Sequence, residues 1–117
     1  MKENLGDLSR LQHILKCILD LEEFLKGVDE DSFYRNSEKK YAVERVLEII
    51  GEAVNRTSPE VLAKSKQPIP WRDIVDFRNL VTHEYFRVDY TMVYKLATEE
   101  IPKVKSAIEF LIAELQN

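Results

Sequence analysis

The chain has 117 residues, of which 44% are hydrophobic and 32% are charged, and this balance excludes a disordered chain. Seventeen Lys and Arg face 21 Asp and Glu, a net charge of −4, so any nucleic-acid site must be a local patch. Three Gly and four Pro are too few for the turns of a β-sandwich, and the length predicts one helical domain over residues 1–117.

The first predicted helix runs from Leu8 to Lys26, where Leu and Ile recur every three or four residues. Asp7 is the expected N-cap, and Gly27 the residue just beyond the helix end. A short turn over residues 31–34 should follow, with Phe33 as its apolar plug.

The second helix is predicted from Ser37 to Arg56, with Ser37 as its cap. Its buried face should comprise Tyr41, Val43, Val46, Leu47, Ile50, Ala53 and Val54. Gly51 costs about 1 kcal/mol relative to Ala inside a helix, so we expect a close helix crossing there. Ser58 followed by Pro59 predicts the start of a short helix.

Residues 67–70, with two prolines, predict an extended break before a fourth helix that starts at Trp71. A fifth helix should begin after Asp89, its N-cap, and reach the C-terminus, kinked or broken at Pro102. The expected architecture is all-α: an antiparallel bundle of four main helices plus short helical turns. Tyr41, Phe110 and Ile112 are candidates for a second apolar surface, which a homodimer would cover.

Several features exclude other environments and site types. Cys17 is the only cysteine, which excludes an internal disulfide and is typical of a reducing, cytoplasmic location. The N-terminus lacks the apolar run of a signal peptide, and no stretch approaches the roughly 18 apolar residues of a membrane span. One Cys, two distant His and the lack of a Gly-rich phosphate loop lead us to expect neither a metal nor a cofactor.

The segment from Arg56 to Arg87 is locally basic, with six Lys or Arg against four Asp or Glu. A mixed, solvated surface explains this excess as well as a binding patch does. The segment also contains Arg78, His83 and Tyr85 within eight residues. On one helix His83 would lie about 140° from Arg78, so the three side chains converge only if the helix ends near Thr82 or His83.

Arg and His together suit phosphodiester chemistry. Arginine offers a planar, permanently charged fork to a phosphate, and histidine transfers protons near neutral pH. RNA supplies its own nucleophile, the 2′-hydroxyl, so one base and one cation can cut it without a metal. Structural roles remain open: His83 as a helix cap, Arg78 as an ion-pair partner of Glu52 or Asp76, and Tyr85 as a seal at the bundle end.

The string Arg78-x4-His83-x-Tyr85 resembles the R-x4-H-x-Y motif of the HepT-like toxins in the HEPN ribonuclease superfamily. Further segments resemble this family across nearly the whole chain. They are Leu11–Leu15, Asp31-Ser32-Phe33, Ile49–Ala53, Ile69-Pro70-Trp71 and Phe77-Arg78-Asn79.

The resemblance implies a small helical homodimer that cleaves RNA without a metal, as the toxin of a type VII toxin–antitoxin pair. Its partner would be a minimal nucleotidyltransferase antitoxin that silences the toxin by transferring AMP onto the motif tyrosine. Carried over to this sequence, Arg78 and His83 would be catalytic, Asn79 and Glu52 supporting, and Tyr85 the AMPylated residue.

Two other functions remain open at this point. A non-catalytic helical adaptor would bind and regulate a nucleotidyltransferase, with Arg78 and His83 as architectural residues. A nucleotide-binding module would use the basic end of the bundle to hold ATP for that partner.

Overall fold

A computed structural model describes residues 2–117, and the regular secondary structure in this range is entirely helical. The α-helices are α1 Lys2–Leu25, α2 Glu30–Tyr34, α3 Ser37–Arg56, α4 Pro59–Leu62, α5 Trp71–His83, α6 Tyr90–Lys95 and α7 Ile101–Gln116. A 3₁₀ turn spans Tyr85–Arg87, and a π-helical turn spans Leu96–Glu100. The predicted all-α bundle of four main helices is confirmed, with α1, α3, α5 and α7 as its long members.

Helix α1 packs against α3 and α7, and α3 packs against α5. The largest fully buried side chains are Leu11, Ile14, Ile18, Leu21, Phe33, Val43, Leu47, Ile50, Ile74, Val93, Ile108 and Leu111. Burying each such side chain stabilises the fold by about 1.5–3 kcal/mol. Phe33 fills the core from α2, as predicted. Among residues 2–117, no helix has the length and hydropathy that a bilayer crossing requires.

The predicted start of α1 at Leu8, with Asp7 as N-cap, is wrong. The helix begins at Lys2, and Asp7 lies inside it, almost fully buried. Its carboxylate accepts hydrogen bonds from the backbone N–H of Ser58 (3.1 Å) and from the Ser58 hydroxyl (2.6 Å). Asp7 therefore ties α1 to the start of α4. Gly27 follows the end of α1 with φ +71°, which confirms its predicted place.

The predicted bounds of α3 are confirmed, but its N-cap is Asn36, whose side chain accepts from the Lys39 N–H at 3.0 Å. Tyr41 was expected on the buried face and is instead 63% exposed. It lies two residues before the fully buried Val43, about 200° around the helix, so its ring faces solvent. The other two candidates for a second apolar surface, Phe110 and Ile112, are partly buried against the core.

Gly51 marks the close crossing that its mid-helix position predicts. A Cβ added there would lie 2.5 Å from the Cβ of Arg78 and 2.8 Å from the carbonyl oxygen of Ile74. Helices α3 and α5 therefore approach more closely than a side chain at position 51 would permit. The crossing places Arg78 directly on α3.

The last predicted helix is broken, as Pro102 indicates, and the break is a π-helical turn. Asp89 caps α6 by accepting from the Thr91 N–H at 2.9 Å. Proline has no N–H, and its ring clashes with the carbonyl four residues earlier in a regular helix. The wider turn over Leu96–Glu100 relieves this conflict before α7 begins.

Candidate active site

The motif segment occupies the end of α5 and the turn that follows it. Helix α5 ends at His83, within the predicted interval, but His83 is itself still part of the helix. The Glu84 N–H still donates to the Leu80 carbonyl at 2.7 Å, but the backbone of Glu84 leaves the helical conformation. Tyr85 then opens the 3₁₀ turn.

Arg78 is held by one carboxylate oxygen and one amide oxygen. Its Nη2 lies 2.5 Å from Glu52 Oε2, and its Nη1 donates to Asn79 Oδ1 at 2.7 Å. The side chain is 22% exposed, because α3 covers part of it. A guanidinium has five N–H donors, so these contacts fix its orientation without exhausting its capacity for a ligand. Asp76, the other partner considered from the sequence, instead lies 4.0 Å from Arg72.

Glu52 bridges two arginines. Besides its ion pair with Arg78, it accepts from Arg56 Nε at 2.8 Å. The hydrogen bonds from Arg56 and Arg78 hold the pKa of the Glu52 carboxyl below its ordinary value. The carboxylate is therefore charged at neutral pH and links α3 to the motif helix.

Three glutamates at four-residue intervals on α3 contact successive parts of the segment from Arg78 to Tyr90. This glutamate row consists of Glu44, Glu48 and Glu52. Glu44 accepts from the Tyr90 hydroxyl at 2.5 Å, Glu48 from the Thr82 hydroxyl at 3.3 Å, and Glu52 pairs with Arg78. Of the three, only Glu52 was expected at the site from the sequence. The four-residue spacing, which places all three on one helix face, was the available signal for the other two.

The contact between Tyr90 and Glu44 is partly buried and joins the start of α6 to α3. Burial, followed by the hydrogen bond to the Glu44 carboxylate, raises the pKa of the Tyr90 hydroxyl. Tyr90 therefore stays protonated and keeps the loop after the motif in place.

His83 is exposed at the last position of α5. It lies five positions after Arg78, which corresponds to about 140° around the helix and about 7.5 Å along it. Arg78 faces α3, so the two side chains leave α5 in different directions. Among the described residues, no hydrogen bond or ion pair joins His83 to Arg78, Asn79 or Glu52.

Tyr85 does not seal the end of the bundle. Its ring is 74% exposed, and the neighbouring Phe86 is 75% exposed. The two rings meet edge to face, with centroids 6.1 Å apart and planes at 86°. The Tyr85 side chain is therefore accessible to a modifying enzyme or a ligand.

Comparison with known proteins shows the family to which this chain belongs. The family described as "Ribonuclease HepT-like" matches residues 14–111. The chain belongs to the HepT-like ribonuclease family.

Relatives support this assignment over most of both chains. "Putative RNase MJ1380" of Methanocaldococcus jannaschii is 38% identical over 101 residues, 86% of this chain and 92% of that protein. "Probable ribonuclease HepT" of Thermococcus cleftensis is 35% identical over 101 residues, 86% of this chain and 91% of that protein. "Putative RNase TTE0752" of Caldanaerobacter subterraneus subsp. tengcongensis is 32% identical over 102 residues, 87% of this chain and 90% of that protein. No solved structure matches.

The remaining chemistry-bearing residues of this HepT-like chain are dispersed. Within residues 6–117, whose side chains the structure describes, no three His, Cys, Asp or Glu are grouped as metal ligands would be. Trp71 is half-buried against the core at the start of α5, which fits the structural role of a helix staple. His13 is exposed on α1 and lines a surface groove beside Glu52 and Arg56, a position that the sequence did not indicate.

Proposed function

We propose that this chain is a metal-independent ribonuclease toxin of a type VII toxin–antitoxin pair, with Arg78 and His83 as its catalytic residues. The observation that carries the proposal is the Arg78 guanidinium, oriented by Glu52 and Asn79 on the same helix that ends in the exposed His83. Membership of the HepT-like ribonuclease family supports RNA as the substrate.

The proposed reaction uses the ribose 2′-hydroxyl as nucleophile. The imidazole of His83 takes the proton of this hydroxyl while its oxygen attacks the adjacent phosphorus. Arg78 stabilises the negative charge that develops on the phosphoryl oxygens. The bond to the 5′-oxygen breaks, that oxygen takes a proton from water, and a 2′,3′-cyclic phosphate remains. His83 then returns the proton that it gained to solvent. Glu52 and Asn79 support the reaction by holding the guanidinium.

The proposed active form is a homodimer. Within one chain, Arg78 and His83 leave α5 about 140° apart, which does not aim both at a single phosphate. A second copy related by a twofold axis would add another arginine and histidine to one cleft. Such a cleft would also concentrate positive charge locally, which a chain of net charge −4 needs for RNA binding.

The proposed partner is a nucleotidyltransferase antitoxin that transfers AMP from ATP to the Tyr85 hydroxyl and releases pyrophosphate. The exposure of Tyr85 supports this assignment. The attached AMP adds bulk and a negatively charged phosphodiester near Arg78 and His83. It would occupy the site of the RNA phosphate and repel the RNA backbone.

The direct test is product chemistry. Purified, unmodified protein should cut single-stranded RNA in EDTA and leave a 2′,3′-cyclic phosphate or its hydrolysis product. A 2′-O-methyl RNA of the same sequence, which has no nucleophile, should stay intact. Cleavage that requires an added divalent cation, or that proceeds on the 2′-O-methyl RNA, would contradict the mechanism.

A second candidate function is the non-catalytic adaptor. The engagement of Arg78 by both Glu52 and Asn79 favours it, since the same contacts serve a purely architectural residue. An adaptor would bind its nucleotidyltransferase without cutting RNA and would not arrest growth when expressed alone. Growth arrest by the wild type, lost in folded Arg78→Ala and His83→Ala variants, would exclude it.

A further inference from the structure

Two surface cavities meet along α3. One, of about 460 Å³, lies between α3 and the 3₁₀ turn, and Tyr41, Tyr85 and Phe86 line it. The other, of about 300 Å³, lies between α1 and α3, and Arg10 and Arg56 line it. Arg45 and Glu48 line both cavities, so the two adjoin along α3, and we call them together the α3 groove.

We propose that the α3 groove binds single-stranded RNA, with bases on its aromatic end and phosphates on its arginine end. The inference rests on the proposed function, because the groove passes the Glu52–Arg78 ion pair and would deliver the strand to it. From Tyr41 to Arg56 the groove follows about 22 Å of helix. Proteins that bind single strands combine these two features, a cationic groove and aromatic platforms for bases.

The aromatic end presents unstacked ring faces. Tyr85 and Phe86 are each about three-quarters exposed and touch edge to face, so neither covers the flat face of the other. Tyr41 meets the Tyr90 ring in a similar way, at 6.3 Å and 61°. Bases in a duplex are already stacked on one another, whereas unpaired bases can stack on such rings.

The arginine end keeps donors for phosphates although its arginines are ion-paired. Arg45 contacts Glu48 at 3.0 Å, Arg56 contacts Glu52 at 2.8 Å, and Arg10 contacts the buried Asp7 at 3.2 Å. Each guanidinium has five N–H groups, so one carboxylate contact leaves several for an anion. Three glutamates line the groove, and the pairs neutralise two of them, Glu48 and Glu52. The third, Glu44, accepts a hydrogen bond from the Tyr90 hydroxyl.

A second copy of the chain is the competing occupant of the aromatic end. The continuity of this end with Arg45, Arg56 and Arg10 favours RNA, since an apolar contact between two copies has no need of a guanidinium-lined extension. Lys40 adds a further cation at the aromatic end, with its Nζ 5.1 Å from the Tyr90 ring centroid.

The test is the affinity for a labelled 2′-O-methyl single strand, which reports binding whether or not the protein cleaves RNA. Phe86→Ala should weaken binding by about fivefold to a hundredfold, the range for one stacked base. Phe86→Leu should bind as weakly as Phe86→Ala, because it keeps an apolar side chain but no ring. Phe86→Tyr should bind like the wild type.

The arginine end is tested by the salt dependence of the same affinity. Arg45→Gln should reduce the slope of log K against log salt by about 0.7, the value for one phosphate contact on a single strand. Arg35→Gln is the matched control, since Arg35 is similarly exposed and also paired within its own helical segment, with Asp31. Its slope should equal that of the wild type.

Several results would overturn the inference. They are unchanged affinity in Phe86→Leu, equal affinity for a duplex and a single strand, or a changed sedimentation mass in Phe86→Leu, which would assign the ring to a second copy. A wild type that binds the 2′-O-methyl strand through these residues but cuts no RNA would support the groove and contradict the proposed catalysis.

Discussion

Gly51 and Arg78 pack against each other with no side chain between α3 and α5 at that point. A Cβ on Gly51 would overlap the Cβ of Arg78 and crowd a backbone carbonyl, neither of which can move without shifting α5. The neighbouring Glu52 then lies within ion-pair distance of the Arg78 guanidinium. Gly51 lowers the helix propensity of α3, but it permits the Glu52–Arg78 ion pair that orients the motif arginine.

The first prediction concerns Gly51→Ala. Overpacking at such a contact costs about 1–3 kcal/mol, while alanine returns about 1 kcal/mol of helix propensity. We expect a net destabilisation of about 1 kcal/mol in chemical denaturation, together with reduced RNA cleavage as Arg78 is displaced.

Gly27→Ala is the matched control for that variant. Its φ of +71° strains an alanine, but no atom lies within 4 Å of the added Cβ. It should lower stability by about 1–2 kcal/mol and leave cleavage by the folded protein unchanged. Equal cleavage by Gly51→Ala and the wild type would show that the crossing does not position Arg78.

The sequence predicted helix bounds correctly where the residues that set them lie close by in the chain. The bounds of α3, the end of α1 shortly before Gly27 and the start of α5 at Trp71 follow from polar, glycine and proline residues close to them in sequence. Asp7 looked like an N-cap because its side chain suits that role. Its real partner, Ser58, lies 51 residues away, and no local pattern records that contact.

The motif residues of the candidate site could be recognised in the sequence, but most of their contacts with α3 could not. The motif indicated Arg78, His83 and Tyr85, and Arg78 pairs with Glu52, one of the two partners expected from the sequence. Glu44 and Glu48 were missed because a glutamate every four residues is also the pattern of an ordinary solvated helix face. Only their partners on α5 and α6 distinguish the two cases.

The second prediction concerns the pH dependence of the Glu52 contacts. Hydrogen bonds from Arg56 and Arg78 hold the pKa of Glu52 below its ordinary value of 4.5 in the folded protein. Its stabilisation is therefore fully present above about pH 4.5 and is lost as the pH falls through the lowered pKa. The difference in unfolding free energy between the wild type and Glu52→Gln should shrink on acidification through this window.

An Arg78→Gln background provides the control for this titration. Removing one of the two arginines should make the Glu52→Gln effect smaller and less dependent on pH. A pH dependence that is identical with and without Arg78 would show that the ion pair does not contribute to stability.

The third prediction identifies the modified tyrosine. With the cognate nucleotidyltransferase and ATP, the wild type should gain one or more AMP units by intact mass, and peptide mapping should place them on Tyr85. Tyr85→Phe should gain none and should still cut RNA. Tyr90→Phe should be modified like the wild type, because the Tyr90 hydroxyl donates a hydrogen bond to Glu44 and is not the modified group. Added mass on Tyr34, Tyr41, Tyr90 or Tyr94 would contradict the assignment.

The central claim is tested most directly by RNA cleavage in EDTA with the purified wild type, His83→Ala and Arg72→Ala. His83 and Arg72 are both exposed on α5, so neither change should alter the melting temperature. We predict that His83→Ala lowers the cleavage rate by about 10²–10⁴-fold, the usual contribution of a general acid or base, while Arg72→Ala cleaves normally. Cleavage by a folded His83→Ala protein at the wild-type rate would contradict the account.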